Sequence, residues 1–457
     1  MKDMTAGNPV KLILTFSVPL ILANVCQQCY NLADTFVVGR YLGKSALAAV
    51  GGASGSLIFA VFGFFFGLSG GLAVITAQKF GAKDYNAVRK SIASSLILCT
   101  VISLPPLLLS GVLAEKMLEA MDTPADVMND AVKYLQILFL FGLPNILHTM
   151  LNSILRSLGD SKTPLYFLAL SNFVNIGLNF YLVLGAGWGV SGVAWATVIS
   201  QVIAAVLFYV YAIRKNHFMQ LKLQDWIPDW KFYCEHLKIG LPMGFQFAIN
   251  TIGILVIQRV FNGFGSDIVG GISAIQPMSS ITFMPLFSIG IAIATFVAQN
   301  YGAGNLDRIR EGTRKTVVMS AVYTIATGII MMVFARNSVL IFLEDTAENA
   351  VAVRAGARFL QIQAAFYTLL SFLLVFRNVL QGMGYPFVPF MAGVVEMVLR
   401  VLVAIFLTGW LGFDGVCLAH PVAWLGAAAL LIFEYVRVIR RLKKEGIPVK
   451  TPAVQEL

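Results

Sequence analysis

The chain has 457 residues, of which 58% are hydrophobic and only 12% are charged, and its formal net charge is +10. A soluble protein of this length would need about twice that share of charged residues to cover its surface. The composition therefore excludes a soluble multidomain protein. Apolar runs of ~20 residues along the whole chain predict an all-α polytopic membrane protein, because a membrane barrel would alternate apolar and polar residues.

The apolar runs predict about twelve transmembrane helices. They occupy residues 11–39, 46–78, 91–113, 131–155, 163–185, 190–213, 237–262, 269–300, 316–336, 353–377, 386–410 and 414–437. The first run is too long for the core of a signal peptide and has no small-residue cleavage site, so we expect no cleaved leader.

The first predicted span contains an acid, Asp34, in a run that has no other charge between Lys11 and Arg40. Two polar series recur at helical spacing: Asn24, Gln28, Asn31 and Thr35, and Gln27, Asn31 and Asp34. Polar stripes of this kind face protein or a water-filled cavity rather than lipid. Because burial disfavours a charged carboxyl group, we expect Asp34 to bind a proton or a sodium ion. A structural aspartate that only holds helices together is the alternative.

Candidate partners for this acid lie on the fifth and sixth predicted spans. Asn172, Asn175 and Asn179 share one helix face, and Thr197 and Gln201 are four residues apart. Their amides and hydroxyl could complete an oxygen-rich pocket around a carboxylate. Ordinary interhelical hydrogen bonding is the alternative.

The two halves of the chain repeat each other. Matching pairs are "AQKFGA" (77–82) and "AQNYGA" (298–303), "LRSLGDSKTP" (155–164) and "LQGMGYPFVP" (380–389), and Pro19 and Pro242. We therefore predict two parallel six-helix lobes, residues 1–224 and 225–457, related by a pseudo-twofold axis along the membrane normal. This architecture is typical of secondary transporters with a substrate site between the halves. The two prolines lie inside predicted helices and are expected to bend them.

The second half differs from the first in its polar residues. The seventh span carries Gln246 and Asn250 but no acid, and the eleventh carries Glu396 and Arg400, four residues apart on one helix face. We expect this pair to neutralise itself, and a place in the lining of a cavity is the alternative. Candidate substrate-contacting residues are Gln28, Asn31, Gln246, Asn250, Glu396 and Arg400.

The basic residues predict the orientation in the membrane. Of the 33 Lys and Arg residues, 24 fall on the side of both termini, Arg377 among them, and 7 fall on the other side. Both termini are therefore expected in the cytoplasm, with the protein in the plasma (inner) membrane. Most of the net positive charge is expected at the anionic lipid of the inner leaflet rather than on nucleic acid. We find no nucleotide-binding motif and no catalytic constellation, so we expect neither an enzyme nor a cofactor, and no metal beyond a possible sodium ion near Asp34. A monomer is expected.

Several motifs together resemble one transporter family. They are "VPLILANVCQQCYNLADTFVVG" (18–39), the "AQKFGA"/"AQNYGA" pair, "LRSLGDSKTP" and "GVSGVAWAT" (189–197). In order and in both halves, they resemble the multidrug and toxic compound extrusion (MATE) transporters. The resemblance implies export of small organic cations, often aromatic, in exchange for protons or sodium, by alternating access.

The resemblance also implies a cation site in the first half. The family's acid on the first helix falls on Asp34, its Asn-x-x-x-Asp pair on Asn175 and Asn179, and its threonine on Thr197. The chain departs from the pattern at Asn179, where an aspartate is common, so the choice between proton and sodium is open. A cation site of the second half is not carried over, because the corresponding positions offer Asn250 and an apolar stretch near Leu370.

Two other functions remain as alternatives. A flippase for lipid-linked oligosaccharides should need a row of basic residues inside the membrane, and only Arg259 and Arg400 are predicted there. A channel or a polytopic enzyme is the second alternative, and saturable transport would argue against a channel.

Overall fold

The computed structural model describes residues 2–447, apart from the side chain of Leu255. Within that range every regular element is a helix. The membrane-length segments are α1 (Pro9–Val37), α2 (Ala53–Gly81), α3 (Tyr85–Val112), α4 (α4a, Ala125–Leu140, with α4b, Leu143–Ser157), α5 (Lys162–Asn179), α6 (Gly189–Lys215), α7 (Trp230–Asn262), α8 (Ser266–Gly302), α9 (Leu306–Val333), α10 (α10a, Ala350–Ala365, with α10b, Tyr367–Gly382), α11 (Phe387–Leu411) and α12 (Ala419–Glu445).

Ten of these segments are individually long and apolar enough to cross a membrane, while α4 and α10 qualify only as pairs bent by 51°. The prediction of about twelve transmembrane helices is confirmed, but both bends were missed. In α4 the second piece has Pro144 in its first turn, where a missing backbone N–H costs nothing. The bend in α10 falls at Phe366, with neither glycine nor proline beside it.

The chain packs as two compact units that divide α1 and α7. Among the described residues, unit 1 comprises Val18–Ala248 with residues 2 and 3, and unit 2 comprises Met4–Ser17 with residues 249–447. The repeat boundary at residues 224 and 225 is defined by sequence rather than by packing and stays a prediction. Pro19 and Pro242 lie inside the continuous helices α1 and α7, and their bending role is still a prediction.

The segment between α6 and α7 contains two single-turn helices, His217–Met219 and Leu223–Trp226. Two ion pairs hold it against the start of α3 in unit 1. Arg89 Nε lies 3.5 Å from Asp225 Oδ2, and Lys90 Nζ donates to Asp229 Oδ2 at 2.7 Å. The Lys90 hydrogen bond holds the pKa of Asp229 below its usual value.

The second copy of the repeated motif anchors the N-terminal segment within unit 2. Gln299 Oε1 accepts from the backbone N–H of Met4 at 2.9 Å, and Asn300 Nδ2 donates to the Met4 carbonyl at 3.1 Å. Arg308 Nη2 also donates to this carbonyl, at 3.2 Å. Met4 is fully buried, so its backbone groups need these partners.

Glycines let α2 pack closely against the first half of α7 in unit 1. A Cβ atom at Gly67 would lie 2.4 Å from the Met243 carbonyl oxygen, and one at Gly71 would lie 2.6 Å from Gly240 Cα. Both distances are shorter than any van der Waals contact, and the nearest atoms belong to the backbone. Small residues are typical of close helix contacts in membranes.

We expect Gly71→Ala to lower the free energy of unfolding by about 1–3 kcal/mol, because the added methyl group would force two helices apart. The matched control is Gly63→Ala in the same helix, where a Cβ atom would meet nothing within 4 Å. Thermal unfolding of the detergent-solubilised protein measures both variants. Equal midpoints for the two variants would contradict the proposed close packing.

Candidate functional site

A continuous hydrogen-bonded cluster joins α1, α5 and α6 inside unit 1. Asn179 Nδ2 donates to Asp34 Oδ1 at 2.5 Å and to Asn175 Oδ1 at 2.8 Å. Asn175 Nδ2 in turn donates to Thr197 Oγ1 at 3.2 Å, and the Tyr30 hydroxyl lies 3.4 Å from the same Thr197 oxygen. Five side chains therefore form one network that ends at the carboxylate.

Helical spacing brings these side chains together. Tyr30 and Asp34 are one turn apart on α1, as are Asn175 and Asn179 on α5, and the two asparagines are 1% and 0% exposed. Both helices then pass into a π-helical turn, Val38–Leu42 after α1 and Phe180–Gly185 after α5. Such turns often occur at functional sites, because the extra residue re-aims the neighbouring side chains.

One acceptor in the cluster has no partner. Asn179 Oδ1 is buried and makes no hydrogen bond within the described part of the chain, although its own amide nitrogen binds Asp34. The carboxylate can take up a proton. Together with the unpaired amide oxygen and the hydroxyl oxygen, it also offers the hard oxygen ligands that a sodium ion prefers. The cluster therefore has both the charge and the spare acceptor that a small cation needs.

The cluster opens into a cavity of about 540 Å³ that lies entirely within unit 1. Asp34, Tyr30 and Thr197 line it, so the carboxylate faces the cavity. Its aromatic wall includes Phe62, Phe66, Tyr134 and Phe141. Its further polar lining includes Asn24, Gln27, Asn31, Asn145, Thr149, Asn152 and Gln201. The lining therefore combines aromatic rings with many polar side chains and a single acid, and polar groups that converge among aromatic walls are typical of small-molecule sites.

The structure brings together the four predicted cation-binding residues, Asp34, Asn175, Asn179 and Thr197, and their role in binding stays a prediction. Of the predicted substrate-contacting residues on α1, Asn31 lines the cavity. Gln28 is not among the lining residues, and its Oε1 accepts a hydrogen bond from Asn31 Nδ2 at 3.3 Å. The face of α1 that lines the cavity therefore carries Gln27 and Asp34 of the second predicted series rather than Gln28 of the first.

Four ionisable lining residues were not predicted: Tyr30, Tyr134, His148 and Arg156. Tyr30 lies one turn before Asp34, so the helical spacing could have identified it. Arg156 was counted among the basic residues at the membrane surface, but it lines the cavity, with its Nη2 donating to Ser153 Oγ at 3.2 Å. That α4b and α1 line the same cavity has no local signal in the sequence.

The two candidate amides of α7 fall in different units. Gln246 is buried and belongs to unit 1, whereas Asn250 belongs to unit 2 and is half-buried. The buried Oδ1 of Asn250 has no hydrogen-bond partner among the described residues. The structure therefore does not place these amides in one packed unit, and their contact with substrate stays a prediction.

Glu396 and Arg400 contact each other on α11, but a third charged residue joins them. Arg377 Nη2 on α10b donates to Glu396 Oε2 at 2.7 Å, and Arg400 Nη2 donates to Glu396 Oε1. Arg377 is only 7% exposed and belongs to a buried ion cluster, whereas its charge had been counted only toward the orientation of the chain. The expected contact between Glu396 and Arg400 is present, but the expectation did not include Arg377, so one carboxylate faces two guanidinium groups.

Metal-ligand chemistry has little support in the described part of the chain. Across residues 2–447 no three His, Cys, Asp or Glu side chains come together in a way that could hold a metal ion. Asp34 with its amide and hydroxyl neighbours remains the candidate site for a small cation.

Comparison with known proteins identifies the family. The family model described as MatE matches residues 19–181 and 242–406, more than half of the chain, and the two matches begin at the repeated prolines. A probable multidrug resistance protein of Bacillus subtilis, YpnP, is 29% identical over 95% of this chain and 97% of its own length. The multidrug export protein MepA of Staphylococcus saprophyticus is 24% identical over 93% of each chain.

Solved structures share the fold. A crystal structure of MATE in the bent conformation superimposes with a TM-score of 0.89 at 22% identity, over 97% of this chain and 98% of the other. The prediction of two six-helix lobes is confirmed by this likeness. Since the family model matches both halves of the sequence, the chain belongs to the multidrug and toxic compound extrusion (MATE) family of efflux transporters.

Proposed function

We propose that the protein is a secondary active antiporter that exports organic cations, often aromatic, in exchange for protons or sodium ions. The relatives named as multidrug resistance and multidrug export proteins support export of drugs. The observation that carries the proposal is the Asp34 carboxylate, bound by Asn179 and lining a cavity with aromatic walls. We further propose a monomer in the inner membrane, with both termini in the cytoplasm and without a resident cofactor.

The coupling step follows from the electrostatics of this carboxylate. A negative charge among buried amides has little water to stabilise it, so binding of a proton or a sodium ion relieves an unfavourable state. In the sodium case, Asp34, Asn179 Oδ1 and Thr197 Oγ1 would supply oxygen ligands. Asn175 would hold the amide of Asn179 and the hydroxyl of Thr197 in place through its hydrogen bonds.

Substrate recognition uses the same charge. An aromatic cation gains from ring contacts with Phe62, Phe66 and Phe141 and from attraction to the carboxylate. Because one carboxylate cannot compensate two cations at once, binding of the coupling ion weakens binding of the drug. This competition is the physical basis of exchange, and alternating access then moves the two cations in opposite directions.

We expect purified protein in proteoliposomes to move ethidium against its concentration gradient when a proton or a sodium gradient is imposed. The two gradients are applied separately, each with an ionophore control that dissipates it. Movement that saturates with ethidium and stops with the matching ionophore supports antiport and identifies the coupling ion. Ethidium flux that does not depend on either gradient, or that does not saturate with ethidium concentration, would argue for a channel and against antiport.

A further inference from the structure

A buried cluster in unit 2 carries one positive charge more than it carries negative charge. Arg377, Glu396 and Arg400 are 7%, 3% and 5% exposed, and both guanidinium groups bind the same carboxylate. His420 on α12 also interacts electrostatically with Arg400, and an imidazole adds no negative charge. An uncompensated charge inside a membrane protein is costly, and this cluster lacks one negative charge.

The cluster is also incomplete in hydrogen bonds. Arg377 Nε, Arg400 Nε and Arg400 Nη1 are buried and have no partner among the described residues. Guanidinium N–H groups only donate, so the missing partner has to be an acceptor. The excess positive charge and the unpaired N–H donors of Arg377 and Arg400 would both be satisfied by an anion.

Gly253 lets the backbone of α7 approach the Arg400 side chain closely. A Cβ atom at Gly253 on α7 would lie 3.2 Å from Arg400 Nη1 and 3.6 Å from its Cδ, so any other residue would crowd the unpartnered nitrogen. The three charged side chains are almost completely buried, which excludes a bulky organic anion without rearrangement. A single monatomic anion is the acceptor that needs the least space, and it supplies the one negative charge that the cluster lacks.

We propose that Arg400 and Arg377 bind a small inorganic anion of the halide class, which neutralises the cluster. This site lies in unit 2 and is separate from Asp34, so it goes beyond the proposed export function. The bound ion supplies the missing acceptor to the guanidinium groups and one negative charge to the cluster. Because the anion binds only the folded protein, it should stabilise the fold by an amount that grows with the logarithm of its concentration above the dissociation constant.

The test is thermal unfolding of the full-length detergent-solubilised protein, titrated with sodium bromide against sodium gluconate at constant ionic strength. We expect the unfolding midpoint to rise with bromide by roughly 2 °C or more, in step with the logarithm of the bromide concentration above the dissociation constant, while gluconate has no such effect. Crystals grown in bromide should show an anomalous scattering peak beside the Arg400 guanidinium. Equal midpoints in bromide and gluconate, or no peak at Arg400, would overturn the proposal.

Two variants remove the excess charge without leaving a lone ion. Arg400→Gln leaves Arg377 paired with Glu396, and Arg377→Gln leaves Arg400 paired with Glu396, so both should fold and lose the bromide response. The matched control is Arg358→Gln, in an exposed pair with Asp414 at 2.7 Å, and it should keep the full response. A bromide response that persists in both cluster variants would show that the anion binds elsewhere.

Discussion

Ion-driven export is expected to disappear when Asp34 is replaced by Asn. An amide of the same shape cannot ionise, so it neither binds a proton nor supplies negative charge to sodium or to a cationic drug. The lost interaction, about 3 kcal/mol for a charge-assisted contact, corresponds to a fall of about 100-fold in the gradient-driven rate. Initial rates of ethidium export from proteoliposomes measure the effect.

Folding should survive this substitution. The new amide can still accept from Asn179 Nδ2, and a neutral group is cheaper to bury than a carboxylate, so the free energy of unfolding should change by less than about 1 kcal/mol. The matched control is Asp126→Asn at the exposed start of α4a, which removes a carboxylate outside the cavity and should export normally. Wild-type rates in the Asp34 variant would refute its coupling role.

The largest loss of stability is expected for Glu396→Gln. This change leaves Arg377 and Arg400 facing each other without their shared carboxylate, and breaking a buried ion pair in this way costs about 3–5 kcal/mol. Thermal unfolding of the detergent-solubilised variant, in buffer without halide, measures the loss. By contrast, Arg400→Gln leaves one balanced pair and should cost much less.

The control for this prediction is Glu434→Gln on α12. Glu434 lies 3.6 Å from an Arg437 side chain that is 74% exposed, so the pair is screened by water and its loss should change stability by less than about 1 kcal/mol. Similar midpoints for the Glu396 and Glu434 variants would mean that the buried cluster does not need its carboxylate.

Properties that depend on neighbours in the sequence were predictable. Apolar runs identify the membrane helices because a lipid environment forces each run to satisfy its own backbone hydrogen bonds. The twofold repeat is visible because matching motifs recur at nearly constant separation, and the family model matches both halves. The polar stripe of α1 identified Asp34 because residues three and four apart share a helix face.

Finer placement on a helix was predicted less well. The first polar series included Gln28, which does not line the cavity, whereas Tyr30 was passed over and belongs to the Asp34 cluster. A helix rotates by a large angle per residue, so the exact face that meets a cavity depends on how the neighbouring helices pack. The bends of α4 and α10 likewise follow from packing, since the break at Phe366 carries no glycine or proline signal.

By itself the sequence determined that this protein spans a membrane, that its halves repeat and that one acid lies in a polar stripe, because these features are local or periodic. Only the tertiary structure decided that Asn179 binds Asp34, that Arg156 reaches the cavity and that Arg377 joins Glu396 and Arg400. Asp34 and Asn179 are 145 residues apart, and Arg377 and Glu396 are 19 apart on different helices. Contacts between helices are selected by packing and charge together, and no short stretch of sequence records them.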